Sequence, residues 1–361
     1  MMRPIHGGNL NWAAQLAGCS PSVILDFSAS INPLGPPESA LSAIKNGLES
    51  LQHYPDPNYS QLREALGKWH NIPPAWILPG NGAAELLTWA ARELSELEAV
   101  YVLKPAFRDY TRALEAFGAK IISCPLAVGK MAENSPQKQD LSLDMPMSKN
   151  CGLLLNNPHN PTGHLFSRAE ILPYLEQFAL VAIDEAFMDF LRPEAQESLL
   201  EDVAHYPNLV VLRSLTKFYS LPGLRIGYGV AHPDRLQKWQ QWRDPWSVNS
   251  LAVEAAIAVL EDTPFQEQTW TWLETARSRF YEDLKSIPRL SPLPSSANFF
   301  LVATEIPASH LQAQLLKQSQ ILIRDCLSFP ELGEHYFRTA IRYPDENQKL
   351  QQAVKELIID N

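Results

Sequence analysis

Short apolar runs alternate with amphipathic stretches along most of this chain. The apolar runs predict strands near 100–103, 119–123, 152–156, 180–184, 209–213 and 226–230. Between them, apolar positions recur at helical spacing over 85–94, 110–117 and 168–178, which predicts helices that bury one face. Strands alternating with helices build βαβ units, so the pattern predicts an α/β fold with a mostly parallel central sheet flanked by helices. The stretch from Gly129 to Asn150 is polar and aperiodic and reads as a surface excursion. Helical patterns over 250–260 and 269–285 lead out of this region, and Pro288, Pro292 and Pro294 then punctuate the chain as a hinge. Beyond the hinge, strands near 299–303, 321–324 and 337–342 and a closing helix over 346–359 predict a smaller α+β domain. The expected division is an N-terminal segment, 1–45, packing with the small domain, a large domain over 46–285, and a small C-terminal domain over 286–361.

Composition narrows the function classes. At 361 residues and 45% hydrophobic the chain can bury a large core. Its 30 Lys and Arg against 40 Asp and Glu give a net charge of −10, with no basic cluster to meet a nucleic-acid backbone. No stretch has the length of a membrane span and the start lacks the apolar core of a signal peptide, so a cytoplasmic protein is expected. Cys19, Cys124, Cys151 and Cys326 form no close pair and read as buried reduced thiols; no metal site is expected.

The candidate chemistry gathers at strand ends. Lys217 lies in Ser214-Leu215-Thr216-Lys217-Phe218-Tyr219, with Arg225 eight residues on. An ammonium among apolar neighbours is disfavoured by desolvation, which frees the neutral amine that attacks an aldehyde. Nearby hydroxyls and Arg225 suit a phosphate, and together they match the two ends of pyridoxal 5′-phosphate (PLP). A solvated loop lysine is the alternative. Asp184 ends an apolar strand, where open α/β sheets bind ligands; it suits either the pyridine nitrogen of PLP or a helix N-cap. Asn157-Pro158-His159-Asn160-Pro161-Thr162-Gly163 forbids a helix and forms a shaped loop, whose Asn160 is either a turn former or a donor to the ring oxygen of the cofactor.

Taken together, the Asn157-to-Gly163 loop, Asp184-Glu185-Ala186-Phe187 and the Ser214-to-Arg225 run resemble fold-type I PLP enzymes of the class I/II aminotransferase superfamily. The resemblance implies that Lys217 carries PLP, Asp184 faces the pyridine nitrogen, Asn160 the ring hydroxyl, and Ser214 and Arg225 the phosphate. It adds the backbone amides of Ala83 and Ala84 as a phosphate cradle, with Phe107 stacked on the ring or packed in the core. Tyr54, in His53-Tyr54-Pro55-Asp56-Pro57, corresponds to a tyrosine that reaches the neighbouring subunit's PLP phosphate, which implies a homodimer with shared sites. Family members commonly carry a tyrosine where this chain has Phe187, so that bond to the ring oxygen is absent and Asn160 carries more of the contact.

The substrate side also follows from resemblance. Arg338 corresponds to the arginine that holds the substrate α-carboxylate, although the assignment can slip to Arg342. Arg324 stands at a second anion-binding position or pairs with Asp325 at the rim. His6-Gly7-Gly8-Asn9, followed by Asp26-Phe27-Ser28-Ala29-Ser30-Ile31-Asn32-Pro33, resembles the threonine-phosphate decarboxylase branch, with Gly8, Asn9 and Asn32 as substrate contacts under an N-terminal lid. The resemblance implies a small phosphorylated amino acid as substrate: L-threonine O-3-phosphate, decarboxylated to (R)-1-amino-2-propanol O-phosphate for cobalamin. The alternative is a histidinol-phosphate or related aminotransferase; a ligand-sensing PLP module is disfavoured because the resemblance begins at His6 and leaves no room for a DNA-binding head.

Overall fold

The computed structural model describes residues 3–128 and 149–359. Its strands are β1 (Leu25–Asp26), β2 (Ile77–Asn81), β3 (Val100–Lys104), β4 (Ile121–Pro125), β5 (Gly152–Asn156), β6 (Leu180–Asp184), β7 (Leu209–Ser214), β8 (Ile226–Ala231), β9 (Leu290–Pro292), β10 (Phe299–Thr304), β11 (Ile321–Leu322), β12 (Arg324–Asp325) and β13 (Tyr336–Ala340). A seven-stranded sheet runs in the order β2-β8-β7-β6-β5-β3-β4, and only β8 is antiparallel to its neighbours.

Both faces of this sheet are covered, which is why its central strands read as unbroken apolar runs. On β5, Leu153 and Leu155 enter the core on one face, while Leu154 points to the other, packing with the helices Ala83–Leu94 and Arg108–Ala116. β2 escapes the sequence reading because it contains Pro79 and Gly80. As an edge strand it tolerates the proline, and Gly80 is needed because a Cβ there would lie 2.7 Å from Leu86 Cγ of the helix folding back over it. The helix Thr263–Lys285 begins six residues earlier than its periodicity suggests, capped by Asp262, whose Oδ1 accepts from Phe265 N at 3.1 Å. The expected excursion from Gly129 to Asn150 lies outside the described residues except at Lys149 and Asn150. Cys124, Cys151 and Cys326 are buried; Cys19 is only half-buried.

The C-terminal region forms an antiparallel sheet in the order β12-β13-β10-β9. The strand expected over 321–324 is two strands: β11 pairs in parallel with β1, whereas β12 turns away to pair with β13. Through β1, and through Ala340 N donating to Phe27 O (2.8 Å), the N-terminal segment is sewn into the C-terminal region. Among the described residues no helix is long and apolar enough to cross a membrane.

Beneath the carboxyl ends of β6 and β7 lies a buried charge cluster. Arg213 of β7 donates to Glu185 Oε2 (2.9 Å) and to Asp189, and Glu185 also accepts from Ser198 Oγ (2.7 Å) and Leu199 N (2.9 Å). Arg213→Met should cost about 3–5 kcal/mol at neutral pH, because two buried carboxylates lose their cation. Burial already raises the Glu185 and Asp189 pKa values and Arg213 opposes that rise, so without Arg213 they rise further; the penalty is full above those raised values and shrinks as pH falls through them. Urea unfolding at neutral and mildly acid pH checks this; an equal loss at both would contradict it.

Candidate active site

The carboxyl ends of the parallel strands lie level, since Asn156 pairs with Asp184 and Asp184 with Leu212, and the polar side chains leave the sheet there. After Ser214 the chain turns at once into the single helical turn Leu215–Phe218, which carries Lys217. Ser214 Oγ accepts from Thr216 N (3.4 Å) and lies 2.7 Å from Thr216 Oγ1. Lys217 shares a cleft with Asp184, Asn160, Phe187 and Arg338, and its Nζ sits 5.0 Å from the centre of the Phe187 ring. Burial lowers the Lys217 pKa; Asp184 opposes this shift, while Arg225 and Arg338 add to it.

Behind the lysine, three segments converge without side chains between them. A Cβ on Gly227 would lie 2.6 Å from both Ala83 N and Arg213 O, and one on Gly82 would lie 2.5 Å from Arg225 Nη2. Gly227 also pairs with Ser214. The N-terminus of the helix at Ala83 and Ala84, the Ser214 hydroxyl and the Arg225 guanidinium are thereby brought together as donors suited to a phosphate.

Asp184 Oδ1 accepts from Ala186 N (3.0 Å) and Oδ2 from the Tyr110 hydroxyl (2.7 Å). Asn160 accepts from Arg338 Nη1 (2.6 Å); because a guanidinium only donates, this fixes Oδ1 toward the arginine and leaves the amide NH₂ for another acceptor. Arg338 Nη2 donates to Ser28 O (3.2 Å), and Arg338 Nε and Ser30 Oγ are buried without a hydrogen-bond partner. Burial and Arg324 push the Arg338 pKa down to about 10. Of the two candidate arginines Arg338 lines the cleft, whereas β13 ends at Ala340 and Arg342 turns to Glu346 (3.0 and 3.1 Å) and to Asp26 O (3.2 Å).

Arg324 lines the cleft rather than sitting in a rim pair, with its Nη1 4.0 Å from Asp325 and donors directed at Pro4 O (3.2 Å), Ile5 O and Ser328 Oγ (2.6 Å). It stands directly opposite Arg338 across the β12–β13 ladder. Like charges so placed repel, which marks the pair as a place for anions. Phe107 lines the same cleft, its ring centre 5.6 Å from His6 and from Tyr110.

Gly8, Asn9 and Asn32 do not line the cleft, contrary to the sequence reading. The Gly8 amide donates to Ser28 Oγ (2.8 Å), and Asn9 caps the helix Leu10–Ala17 by accepting from Trp12 N (3.0 Å). Buried Asn32 donates through Nδ2 to Phe218 O (2.8 Å) and Thr269 Oγ1 (2.9 Å), and through its backbone to Lys217 O (3.0 Å), so it braces the lysine turn from outside. His6 and Gly7 are the N-terminal residues that face the cleft with Ile5. Tyr54 lies elsewhere, 80% exposed and stacked on Trp246 with ring centres 4.5 Å apart. The sequence reading did not single out Tyr110, nor Ser28 and Ser30 within the Asp26–Pro33 run, and the partners of Tyr110 and Ser28 lie far away in the chain.

Comparison with known proteins agrees with this geometry. Over 362 aligned residues the chain is 38% identical to the threonine-phosphate decarboxylase of Salmonella typhimurium, covering 98% of this chain and 96% of the relative. It is 34% identical to a histidinol-phosphate aminotransferase of Symbiobacterium thermophilum, over 90% of this chain and 88% of that one. The crystal structure of L-threonine-O-3-phosphate decarboxylase from Porphyromonas gingivalis superposes with a TM-score of 0.80 at 27% identity, covering 94% of this chain and all of that one. The profile of the family Aminotransferase class I and II matches residues 22–356, nearly the whole sheet-bearing chain, and with these full-length relatives it means that the chain belongs to that family.

Proposed function

We propose that this chain is a PLP-dependent decarboxylase of L-threonine O-3-phosphate, yielding 1-amino-2-propanol O-phosphate for cobalamin biosynthesis. The observation that carries the reading is the facing pair Arg324 and Arg338 in the lysine cleft, two cations for a substrate with two anionic groups. The similarity to threonine-phosphate decarboxylases over nearly the full length supports it. A histidinol-phosphate aminotransferase is the second reading, favoured by relatives of that name at up to 34% identity.

The donor set fits PLP. Lys217 would carry its aldehyde, and the glycine-lined junction of Ala83, Ala84, Ser214 and Arg225 would hold its phosphate. Asp184 would hold a proton at the ring nitrogen, the Asn160 amide would meet the ring oxygen, and Phe107 would cover one face of the ring. When bound, PLP supplies a conjugated ring that takes up the electron pair left when a bond at the substrate α-carbon breaks. The residues of the chain decide which bond that is. Arg338, locked by Asn160 and Ser28 O, would orient the substrate carboxylate, and Arg324 would bind the phosphate. The 5–7 segment would shield the cleft from water. Lys217, with its lowered pKa, is suited to return a proton to the α-carbon after CO₂ leaves.

The division at 45 and 285 is proposed with the reading, the cleft lying where the two larger parts meet. The reading also includes a homodimer. Leu48, Leu51, Tyr54 and Trp246 are large exposed apolar side chains, and covering them with a second copy would let Tyr54 reach a neighbouring phosphate site.

Borohydride treatment of the protein with PLP should fix the label on Lys217 by peptide mapping, and Lys217→Ala should bind PLP reversibly but not turn over. A protein that takes up no PLP would end the reading. In parallel assays, threonine O-phosphate should release CO₂ with no oxo-acid acceptor, and histidinol phosphate with 2-oxoglutarate should give little glutamate; the reverse result would favour the aminotransferase. Sedimentation should give a dimer, and Leu51→Arg should weaken it and lower activity together; a fully active monomer would refute the shared site.

A further inference from the structure

Among the described residues, Asp184 is the one carboxylate lining the cleft, and the Tyr110 side chain from another element donates to it. Tyr110 lies in the first turns of the helix Arg108–Ala116 and is fully enclosed, 2% exposed. Its hydroxyl donates to Asp184 Oδ2 at 2.7 Å. Its ring meets Phe107 edge-on, with centres 5.6 Å apart and planes at 85°. One residue thus touches both the acid that would meet the ring nitrogen and the aromatic that would cover the ring. We infer that Tyr110 is a positioning residue that keeps the Asp184 carboxylate aimed at the cofactor while fixing the face of Phe107. The inference rests on the reading of Asp184 as the partner of the PLP ring nitrogen.

The chemistry favours a permanent donor. Burial and the adjacent Asp184 raise the Tyr110 pKa well above the usual tyrosine range, so the hydroxyl keeps its proton wherever the enzyme works. A hydrogen bond donated to a carboxylate fixes its orientation and favours its ionised form. Removing that donor leaves the carboxylate a stronger competitor for the proton it would share with the ring nitrogen. The ring nitrogen then holds its proton less tightly, and the ring withdraws fewer electrons from its linkage to Lys217.

Tyr110→Phe deletes one oxygen and keeps the ring packing, so the reconstituted holoenzyme isolates the hydrogen bond. The pH midpoint of the visible absorption change of bound PLP should move up by about one unit, and kcat should fall by about tenfold with little change in KM. Asp184→Asn, measured alongside, should move the same midpoint further. If Asp184→Asn shifts the midpoint and Tyr110→Phe does not, the inference is wrong while the reading of Asp184 stands. If neither shifts it, both fall. A lower melting temperature for Tyr110→Phe with an unmoved absorption midpoint would mean a merely structural tyrosine and would likewise overturn the inference.

Discussion

The cleft depends on Arg213, held in the interior between Glu185 and Asp189. Adjacent residues leave a strand on opposite faces, so the cation beneath the sheet and Ser214 above it are fixed by one backbone segment, as are Glu185 below and Asp184 above. Pairing the two lower residues therefore locks the ends of β6 and β7 against each other. Three charges are costly to bury, and Glu185 gains further donors, Ser198 Oγ on the oxygen it offers to Arg213 and the Leu199 amide on the other. With that cross-tie in place, the turn carrying Lys217 starts at a defined height above the sheet.

Above the sheet the charge balance is reversed. Among the described residues, Arg108, Arg324, Arg338 and Lys217 line the cleft with one carboxylate, and Arg324 and Arg338 stand opposite each other on adjacent strands. Such a cluster works against folding and is tolerated because backbone carbonyls share the load: Pro4 and Ile5 accept from Arg324, and Ser28 from Arg338. Among the described residues, Arg338 Nε and the Ser30 hydroxyl are buried without a hydrogen-bond partner, as donors free for an anion in the cleft would be. Stability is given up locally for recognition.

The N-terminal segment closes the arrangement through contacts that only small residues allow. A Cβ on Gly7 would lie 2.3 Å from Ser28 O, the same carbonyl that receives Arg338, and Gly8, at φ +79°, sends its amide to the Ser28 hydroxyl. Ser28 Oγ in turn donates to buried Asp26 at 2.6 Å. Ser28 thus joins the N-terminal segment, Arg338 and β1 at one point, and β1 belongs to the C-terminal region through β11.

The sequence by itself determined the central strands, the helices between them and the positions of Lys217, Asp184, Asn160 and Arg225. Those features are written in local patterns: apolar runs, helical periodicity, and polar residues at strand ends, which a parallel sheet must present on one edge. Only the tertiary structure decided between Arg338 and Arg342, because that depends on β13 ending at Ala340. Only it drew Asn9 and Asn32 into capping and bracing, split 321–325 between two sheets, admitted a proline-containing edge strand, and placed Tyr110 on Asp184, 74 residues away. The reason is physical. A hydrogen bond between residues distant in the chain imposes no periodicity on either neighbourhood, so its partners are chosen by packing and leave no local trace.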